Sequence, residues 1–559
     1  MVSAVDVFQL VPQSASRSKQ FLLRQGLVLL SLFAVFSLIF GTLISLAVLQ
    51  PSVLKLHSAG PLGAHKPRPD IVDRHGALLA TDIEAPSLFA NPSSLMDPVR
   101  VVARLKQAFP KLDEMDLLRQ LTREKRQFVF IKRGVHPEKA QEVFDMGLPG
   151  VDVTQEVRRV YPKGPLAGYV LGHVDIDNVG RAGIEKYIDE RDALGAFSSA
   201  DGRPVQLSLD VGACHLLREE LLAALKVYRA KAAAGLVMNV HSGEVVALSS
   251  LPKVDPQKPA SWLDKDRFDR VSGGVFELGS VFKVLTMGMV LEHDVATLDT
   301  RVDVTGPLKL EGHVINDYHP FDGELSLRDV FVHSSNIGTA KLALRLSPRE
   351  HKSFLEKLRV LTPLKTELGP LRRPETFANW GEVHSVTASY GHGIAVSPLQ
   401  FAASVGALVN GGIYVPPTFL KRDERQAKAL GERVVSLKTS QAIRRLMRQN
   451  VIDEKGSGKQ ANVQAFSVGG KTGTANKVVD GRYRKDLVRT SFVAAFPHHN
   501  PEYLVFVMLD EPQAVAASGG LTVAGANAAP VTGRIISRLG PHLKLKPFFP
   551  VPYRLTSRR

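Results

Sequence analysis

The hydropathy pattern opens with a long apolar run. No charged residue occurs from Gln25 to Leu54, and Gly26 to Leu49 is almost wholly apolar. About twenty apolar residues in a helix cover the hydrocarbon core of a bilayer, so the run predicts a transmembrane helix over 26–49 after a cytoplasmic tail, 1–25. It exceeds the apolar core of a cleavable signal peptide and lacks an Ala-x-Ala-like site, which predicts a retained anchor. Arg17, Lys19 and Arg24 crowd its N-terminal flank, whereas Lys55 alone follows closely. Positive-inside bias therefore puts the N-terminus in the cytoplasm and everything after about Gln50 outside.

After a Pro/Gly-containing stretch, Arg68 to Ala80 predicts a short strand, a turn and a second strand. From Val101 to Phe144 charged and apolar residues alternate at helical spacing, which predicts a small, exposed helical subdomain. A polar linker at Ser198 to Pro204 precedes the alternating Val205 to Asp210. A helical stretch follows from Gly212 to Ala230, then a hairpin, Gly235 to Val240 and Glu244 to Ser250, turning at His241-Ser242-Gly243. Helical spacing dominates from Ser280 to about Gly406. Strand character returns at Ser467 to Thr474, Arg489 to Phe496 and Tyr503 to Asp510; Ala524 to Leu539 predicts a closing helix and a basic tail ends the chain.

A length of 559 residues implies more than one domain. The net charge of +16 suits nucleic acid, an anionic membrane or an acidic polymer, but no compact Lys/Arg block or nucleic-acid motif occurs. The charge reads as dispersed over the surface, with no nucleic-acid partner. The single cysteine, Cys214, excludes an internal disulfide and is expected in the core. His498-His499 reads as a solvated turn without further ligands at a metal-binding spacing, so neither a metal nor a cofactor is expected.

Candidate chemistry centres on Phe276-Glu277-Leu278-Gly279-Ser280-Val281-Phe282-Lys283. The glycine leads into a serine at the start of an apolar helix, where free backbone N–H groups and the helix dipole favour negative charge on the serine oxygen. Lys283, three residues on, shares a helix face with Ser280. Burial among Phe282, Val284 and Met287 would disfavour its charge and make it a general base. Ser-x-x-Lys is weak by itself: Ser16 to Lys19, Ser52 to Lys55 and Ser250 to Lys253 repeat it. The Ser280 copy, the last of the four, is followed in order by Ser334-Ser335-Asn336 and by Lys471-Thr472-Gly473-Thr474, each found once. Ser326-Leu327-Arg328-Asp329 resembles a capping box and opens a short helix, which puts Ser334 to Asn336 in the turn before the next one. Gly469 to Thr474 reads as an edge strand where glycine lets a ligand backbone come close and a peptide add as an extra strand.

The three motifs in this order resemble the penicillin-binding proteins and class A β-lactamases. Arg68-Pro69-Asp70-Ile71-Val72-Asp73-Arg74-His75-Gly76 resembles the segment that opens the pedestal of class B penicillin-binding proteins, with Pro69 and His75 departing from the usual Gly and Asn. Arg159-Val160-Tyr161-Pro162 through Gly183-Ile184-Glu185 is similar to a second pedestal motif. No Glu-Asp-x-x-Phe pattern of the glycosyltransferase domain of bifunctional class A enzymes occurs. Phe276 to Gly279, Asp317-Tyr318-His319-Pro320, Ser389 to Ile394 and Ser397-Pro398-Leu399-Gln400 look like the division-specific, FtsI-type members.

The resemblance implies a mixed α/β (α+β) architecture: an N-terminal transmembrane helix, a non-catalytic pedestal of the dimerisation type over 50–203, a transpeptidase domain over 204–545 and a basic tail over 546–559. The transpeptidase domain would hold a five-stranded antiparallel sheet flanked by helices. Ser280 would be the nucleophile, Lys283 the general base and Ser334 a proton relay. Asn336 would hold the substrate amide, and Lys471, Thr472, Gly473 and Thr474 the donor peptide with its terminal carboxylate. The N–H groups of Ser280 and Thr474 would form the oxyanion hole. The implied activity is D,D-transpeptidation of peptidoglycan stem peptides in septal cell-wall synthesis, blocked covalently by β-lactams, at the bacterial inner membrane with the catalytic domain periplasmic. The implied partners are an FtsW-type glycosyltransferase and other division proteins. An elongation-specific transpeptidase, a membrane-anchored β-lactamase or β-lactam sensor, and a non-catalytic division scaffold are the alternatives.

Overall fold

The computed structural model describes residues 12–44, 68–123, 126–192 and 203–548. The expectations for 45–49 of the membrane span, for 198–202 of the linker and for 549–559 of the tail lie outside them. Helix α1, Pro12–Ile44, starts well before the apolar run. Its segment Arg24–Thr42 has a mean hydropathy of 2.0, is not buried by any of the described residues, and is long and apolar enough to cross a membrane.

The rest divides into two compact units, Glu84–Val157 and a larger one of Pro67–Ile83 with Arg158 onwards. In the smaller unit, part of β2 (Leu78–Ala90) pairs antiparallel with β3 (Val129–Lys132). Helices α2 (Pro98–Ala108), α3 (Glu114–Leu121) and α4 (Pro137–Asp145) close over a separate core that includes Leu88, Leu105, Leu117 and Val143. Asp97 and Asp113 cap α2 and α3 by accepting N–H bonds from Arg100 and Asp116. The expected all-helical stretch thus contains a strand. Val129 and Ile131 face the core while Lys132 is exposed, a period-two segment too short to stand out among helix-spaced charges.

In the larger unit, β1 (Ile71–Val72) pairs antiparallel with the start of β2 and parallel with β5 (Val205–Gln206). The strand, turn and strand expected for Arg68 to Ala80 are present, with Asp73 accepting N–H bonds from His75 and Ala77 in the turn. Both pedestal-like motifs meet here. Arg159, at the end of β4 (Val151–Val160), donates to Glu185 Oε1 at 2.7 Å, Asp82 Oδ1 at 3.1 Å and the Pro69 carbonyl at 2.9 Å. Arg68 donates to Glu185 Oε2 at 3.0 Å and pairs with Asp189 on α5 (Gly183–Asp192). The Arg159 and Glu185 side chains are completely buried.

From β5 the chain steps into the main sheet: the Ser208 N–H donates to the Phe419 carbonyl and the Asp210 N–H to Val246. Helix α6 (Val211–Tyr228), β6 (Ala232–Asn239) and β7 (Val245–Leu251) match the expected helix and hairpin. Helices α7 (Lys283–Glu292), α8 (Leu327–Val332), α9 (Asn336–Ala343), α10 (Pro398–Val409) and α11 (Leu437–Ile452) precede β8 (Gly469–Val479), β9 (Arg482–Phe496) and β10 (Tyr503–Asp510). The five strands form an antiparallel sheet of order β8-β9-β10-β6-β7, with β8 at the edge as expected. Strands β6, β7 and β10 are buried along almost their whole length, because α6 and α12 (Ala528–His542) pack on the sheet together and α10 and α11 add a second helical layer.

Three details differ from the sequence expectations. The helical middle also carries short ladders, Arg301–Asp303 with Glu324–Ser326, Leu308–Leu310 with His313–Ile315 and Lys365–Thr366 with Gly369–Pro370. The closing helix starts at Ala528 after a 3-10 turn at Ala524–Ala526 and runs to His542. His498 and His499 lie in a turn as expected and His499 is exposed, but His498 is half-buried and bonds Ser467 Oγ through Nδ1 at 2.7 Å. Cys214 is buried as expected.

Candidate active site

Ser280 lies in a 3-10 turn, Gly279–Phe282, that runs straight into α7. Gly279 takes φ +62, a conformation that a side chain disfavours, and a Cβ there would lie 2.6 Å from the Thr474 carbonyl oxygen. A Cβ on Gly391, at φ +82, would lie 2.3 Å from the Gly279 carbonyl oxygen, and one on Gly473 2.3 Å from that of Leu278. The turn bearing Ser280 is thus wedged between β8 and the Gly391 loop. The close approach that Gly473 permits is made by the chain's own backbone at Leu278, where the sequence suggests a ligand. This packing sets the Thr474 backbone beside the Ser280 turn.

Lys283 is completely buried, one turn along from a half-exposed Ser280. Its Nζ donates to the Ser334 carbonyl at 2.5 Å and Asn336 Oδ1 at 2.7 Å, and lies 3.1 Å from Ser334 Oγ. The first two are acceptors only, whereas a hydroxyl either donates or accepts. A neutral amine therefore satisfies all three contacts, giving two N–H groups and receiving one O–H. Burial holds the Lys283 pKa well below its ordinary 10.5; nearby Lys471 lowers it further and Asp317 opposes both.

The second motif is held in a strained turn. Ser334 takes φ +61, rare for a residue with a side chain. Ser335 caps α9 by accepting from the Gly338 N–H, and Asn336 begins the helix. The Asp317 carboxylate accepts from Ser335 Oγ at 2.6 Å, from the Ile337 N–H at 3.0 Å and from the Asn336 N–H. Asp317 is therefore the anchor of this motif, although the sequence reading used it only to mark a subtype. Asp317→Asn removes the one charge that favours protonated Lys283, so the alkaline-rising limb of the acylation rate should move to lower pH. A stopped-flow pH series checks this; a merely loosened turn lowers the rate without moving the limb.

On β8, Lys471 is completely buried, and burial alone lowers its pKa to about 7. Its polar neighbours are Ser457 Oγ at 3.5 Å and Thr472 Oγ1 at 3.4 Å, with the Phe331 ring centroid 5.6 Å away. The Thr472 hydroxyl donates to Ser457 Oγ at 2.7 Å, and Ser457 donates to Asn450 Oδ1 at 3.0 Å. Thr474 Oγ1 accepts the Ala524 N–H at 3.1 Å, which leaves its own proton free to donate. Near this pair of motifs, Glu277 accepts from the Gly393 N–H and the Tyr483 hydroxyl, each at 2.9 Å. His392 stacks on Tyr483 at 5.7 Å, its pKa lowered by burial and by Lys283. Thus Ser280, Lys283, Ser334, Asn336, Lys471, Thr472, Gly473 and Thr474 all gather at one place. Ser457, Asn450, Glu277, His392 and Tyr483 join them without having been singled out individually, since no local spacing signals a contact across dozens of residues.

The comparisons agree with this geometry. Residues 233–536 match the penicillin-binding protein transpeptidase domain, and residues 64–191 the penicillin-binding protein dimerisation domain. The chain is 38% identical over 491 residues to the probable peptidoglycan D,D-transpeptidase FtsI of Caulobacter vibrioides, covering 87% of this chain and 82% of that protein. It is 28% identical over 567 residues to the peptidoglycan D,D-transpeptidase FtsI of Escherichia coli, covering 95% and 93%. The transpeptidase-domain structure of Burkholderia pseudomallei penicillin-binding protein 3 aligns with a TM-score of 0.55 and 30% identity, over 62% of this chain and 98% of that one. A Bifidobacterium adolescentis peptidoglycan synthetase structure shares the fold, with a TM-score of 0.66 at 21% identity, over 87% and 97%. The chain belongs to the penicillin-binding protein family, to its class B, FtsI-type branch.

Proposed function

We propose that this chain is a serine D,D-transpeptidase that cross-links peptidoglycan stem peptides during septal cell-wall synthesis. The observation that carries the proposal is a buried Lys283, bonded to Ser334 and Asn336, at the foot of the helix that Ser280 opens. Ser280 Oγ attacks the carbonyl of the D-Ala-D-Ala bond while its proton passes to Lys283. The Ser280 and Thr474 N–H groups hold the oxyanion; one such donor is worth about 3 kcal/mol of transition-state stabilisation. As the intermediate collapses, Ser334 relays the proton from Lys283 to the leaving D-alanine. The amine of a neighbouring stem then attacks the acyl-enzyme ester, losing a proton by the same route, and Ser280 is released.

Asn336 orients the donor amide, and the edge strand β8 with Gly473 takes the donor as an added strand. Lys471 and the free proton of Thr474 meet the terminal carboxylate, whose charge favours protonated Lys471. Thr472 steadies Lys471 through Ser457. No cofactor enters this scheme. A β-lactam imitates the dipeptide and stays on Ser280. Arg24–Thr42 anchors the chain, with the N-terminus cytoplasmic and the catalytic domain periplasmic at the septum, beside an FtsW-type glycosyltransferase and other division proteins.

Intact-mass spectrometry after exposure to benzylpenicillin tests the acyl step. One long-lived adduct is expected on the full chain and none on Ser280→Ala with an unchanged melting profile. An adduct lost within seconds would make the chain a hydrolase, and labelling that persists in the variant would remove Ser280 from the mechanism.

A further inference from the structure

A groove of about 320 Å³ runs along α11, lined by none of the site residues assigned above. Leu298, Arg328, Arg445, Arg448, Gln449 and His498 line it. Its charge account does not close. Asp299 meets Arg328 at 3.0 Å, and Asp453 accepts from Gln449 at 3.2 Å. Arg448 finds only neutral acceptors, Asn462 Oδ1 at 3.1 Å and the Val468 carbonyl at 2.7 Å, and neighbouring Arg444 donates to the His499 carbonyl at 2.6 Å. Among the described residues no carboxylate is within ion-pair distance of Arg444, Arg445 or Arg448.

The shifts of Arg444 and His498 follow the same surplus. Burial lowers Arg448, and burial with Arg445 lowers Arg444. His498 is pushed down to about 4 by burial and by Arg448, His499 and Arg444. Holding the half-buried Arg448 guanidinium without a carboxylate is costly, and an anion in the groove, which the exposed Arg328 and Arg445 also line, offsets that cost. Guanidinium forks match the oxygens of a tetrahedral oxyanion, and a phosphate brings up to two charges where a single carboxylate brings one.

We propose that the groove along α11 binds a phosphate-bearing ligand, held by Arg328, Arg445 and Arg448. Its occupant lies one helix from β8, because α11 also carries Asn450, which donates to the Gly470 carbonyl at 2.8 Å, and Arg448, which donates to Val468. A soluble phosphate ester and a phospholipid headgroup offer the same chemistry.

Calorimetric titration of the detergent-solubilised full chain with inorganic pyrophosphate tests this. Saturable binding is expected, weakened about tenfold or more in Arg328→Gln/Arg445→Gln, whose changes lie at exposed positions. Benzylpenicillin labelling and the melting profile of that variant should be unchanged, which keeps this result separate from the function proposed above. Arg448→Gln should weaken binding similarly. Absence of saturable binding, or equal affinity in the double variant, would overturn the proposal. The source follows from repeating the titration in phosphatidylcholine vesicles with and without phosphatidylglycerol, at raised ionic strength to screen the vesicle surface. Loss of pyrophosphate binding with the anionic lipid assigns the groove to a headgroup; unchanged binding assigns it to a soluble phosphate.

Discussion

Replacing Lys283 with methionine should lower the rate of β-lactam acylation by about 10²–10⁴-fold, the usual worth of a positioned general base. Methionine keeps much of the volume and removes the amine that meets Ser334 and Asn336. The pH series adds a signature. Only the neutral amine takes the serine proton, so the wild-type rate should rise as pH passes the lowered pKa of Lys283, and this limb should be absent from the variant. Stability moves in the same sense. The folded-state pKa is depressed, so between that value and about 10.5 the unfolded chain binds more protons, and stability rises with pH through the window. Lys471, at about 7, contributes the same slope from there upwards and remains in the variant. Denaturant titrations at several pH values should therefore show a shallower rise for Lys283→Met, with stability at neutral pH at least equal to wild type. A variant that acylates at the wild-type rate would leave Lys283 without the role of base.

The largest loss of stability is expected at Glu185→Ala, in the root of the pedestal. Glu185 accepts from both Arg159 and Arg68, and Arg159 lies completely out of solvent. Truncating Glu185 takes one carboxylate from two buried arginines, leaving Arg159 with Asp82 and Arg68 with Asp189, at a cost of up to about 3–5 kcal/mol. Chemical denaturation of the variant should show that loss, and Glu185→Gln, which keeps the acceptor oxygen, a smaller one. Covalent labelling of the surviving folded fraction should proceed at the wild-type rate, since the cluster does not touch Ser280 or Lys283. A wild-type denaturation midpoint for Glu185→Ala would show that water or rearranged side chains compensate both arginines.

Much of this was legible because local chemistry repeats at short range. Twenty or so apolar residues predict a span, short apolar runs bounded by turns predict β6, β7, β9 and β10, and Ser326 caps α8 at Asp329 as its spacing suggests. The three motifs, in their order, named the residues that gather in the cleft. Val129 to Lys132 was not legible, because a four-residue strand inside helix-spaced charges earns its conformation only by pairing with β2. The anchoring role of Asp317 is hidden for a similar reason: its partners lie 18 to 20 residues away, a separation with no periodic signal.

Side-chain chemistry and short-range periodicity suffice for a helix long and apolar enough to span a membrane, for much of the strand and helix content, and for the motif residues that gather around Ser280. Packing between remote segments makes Lys283 dry, puts Lys471 near enough to lower its pKa, lets Gly279, Gly391 and Gly473 bring Thr474 to the Ser280 turn, and leaves the arginines of α11 beyond ion-pair distance of any described carboxylate. Burial and the distance between charges depend on how remote segments pack, and it is those two quantities that turn a lysine from a surface cation into a base.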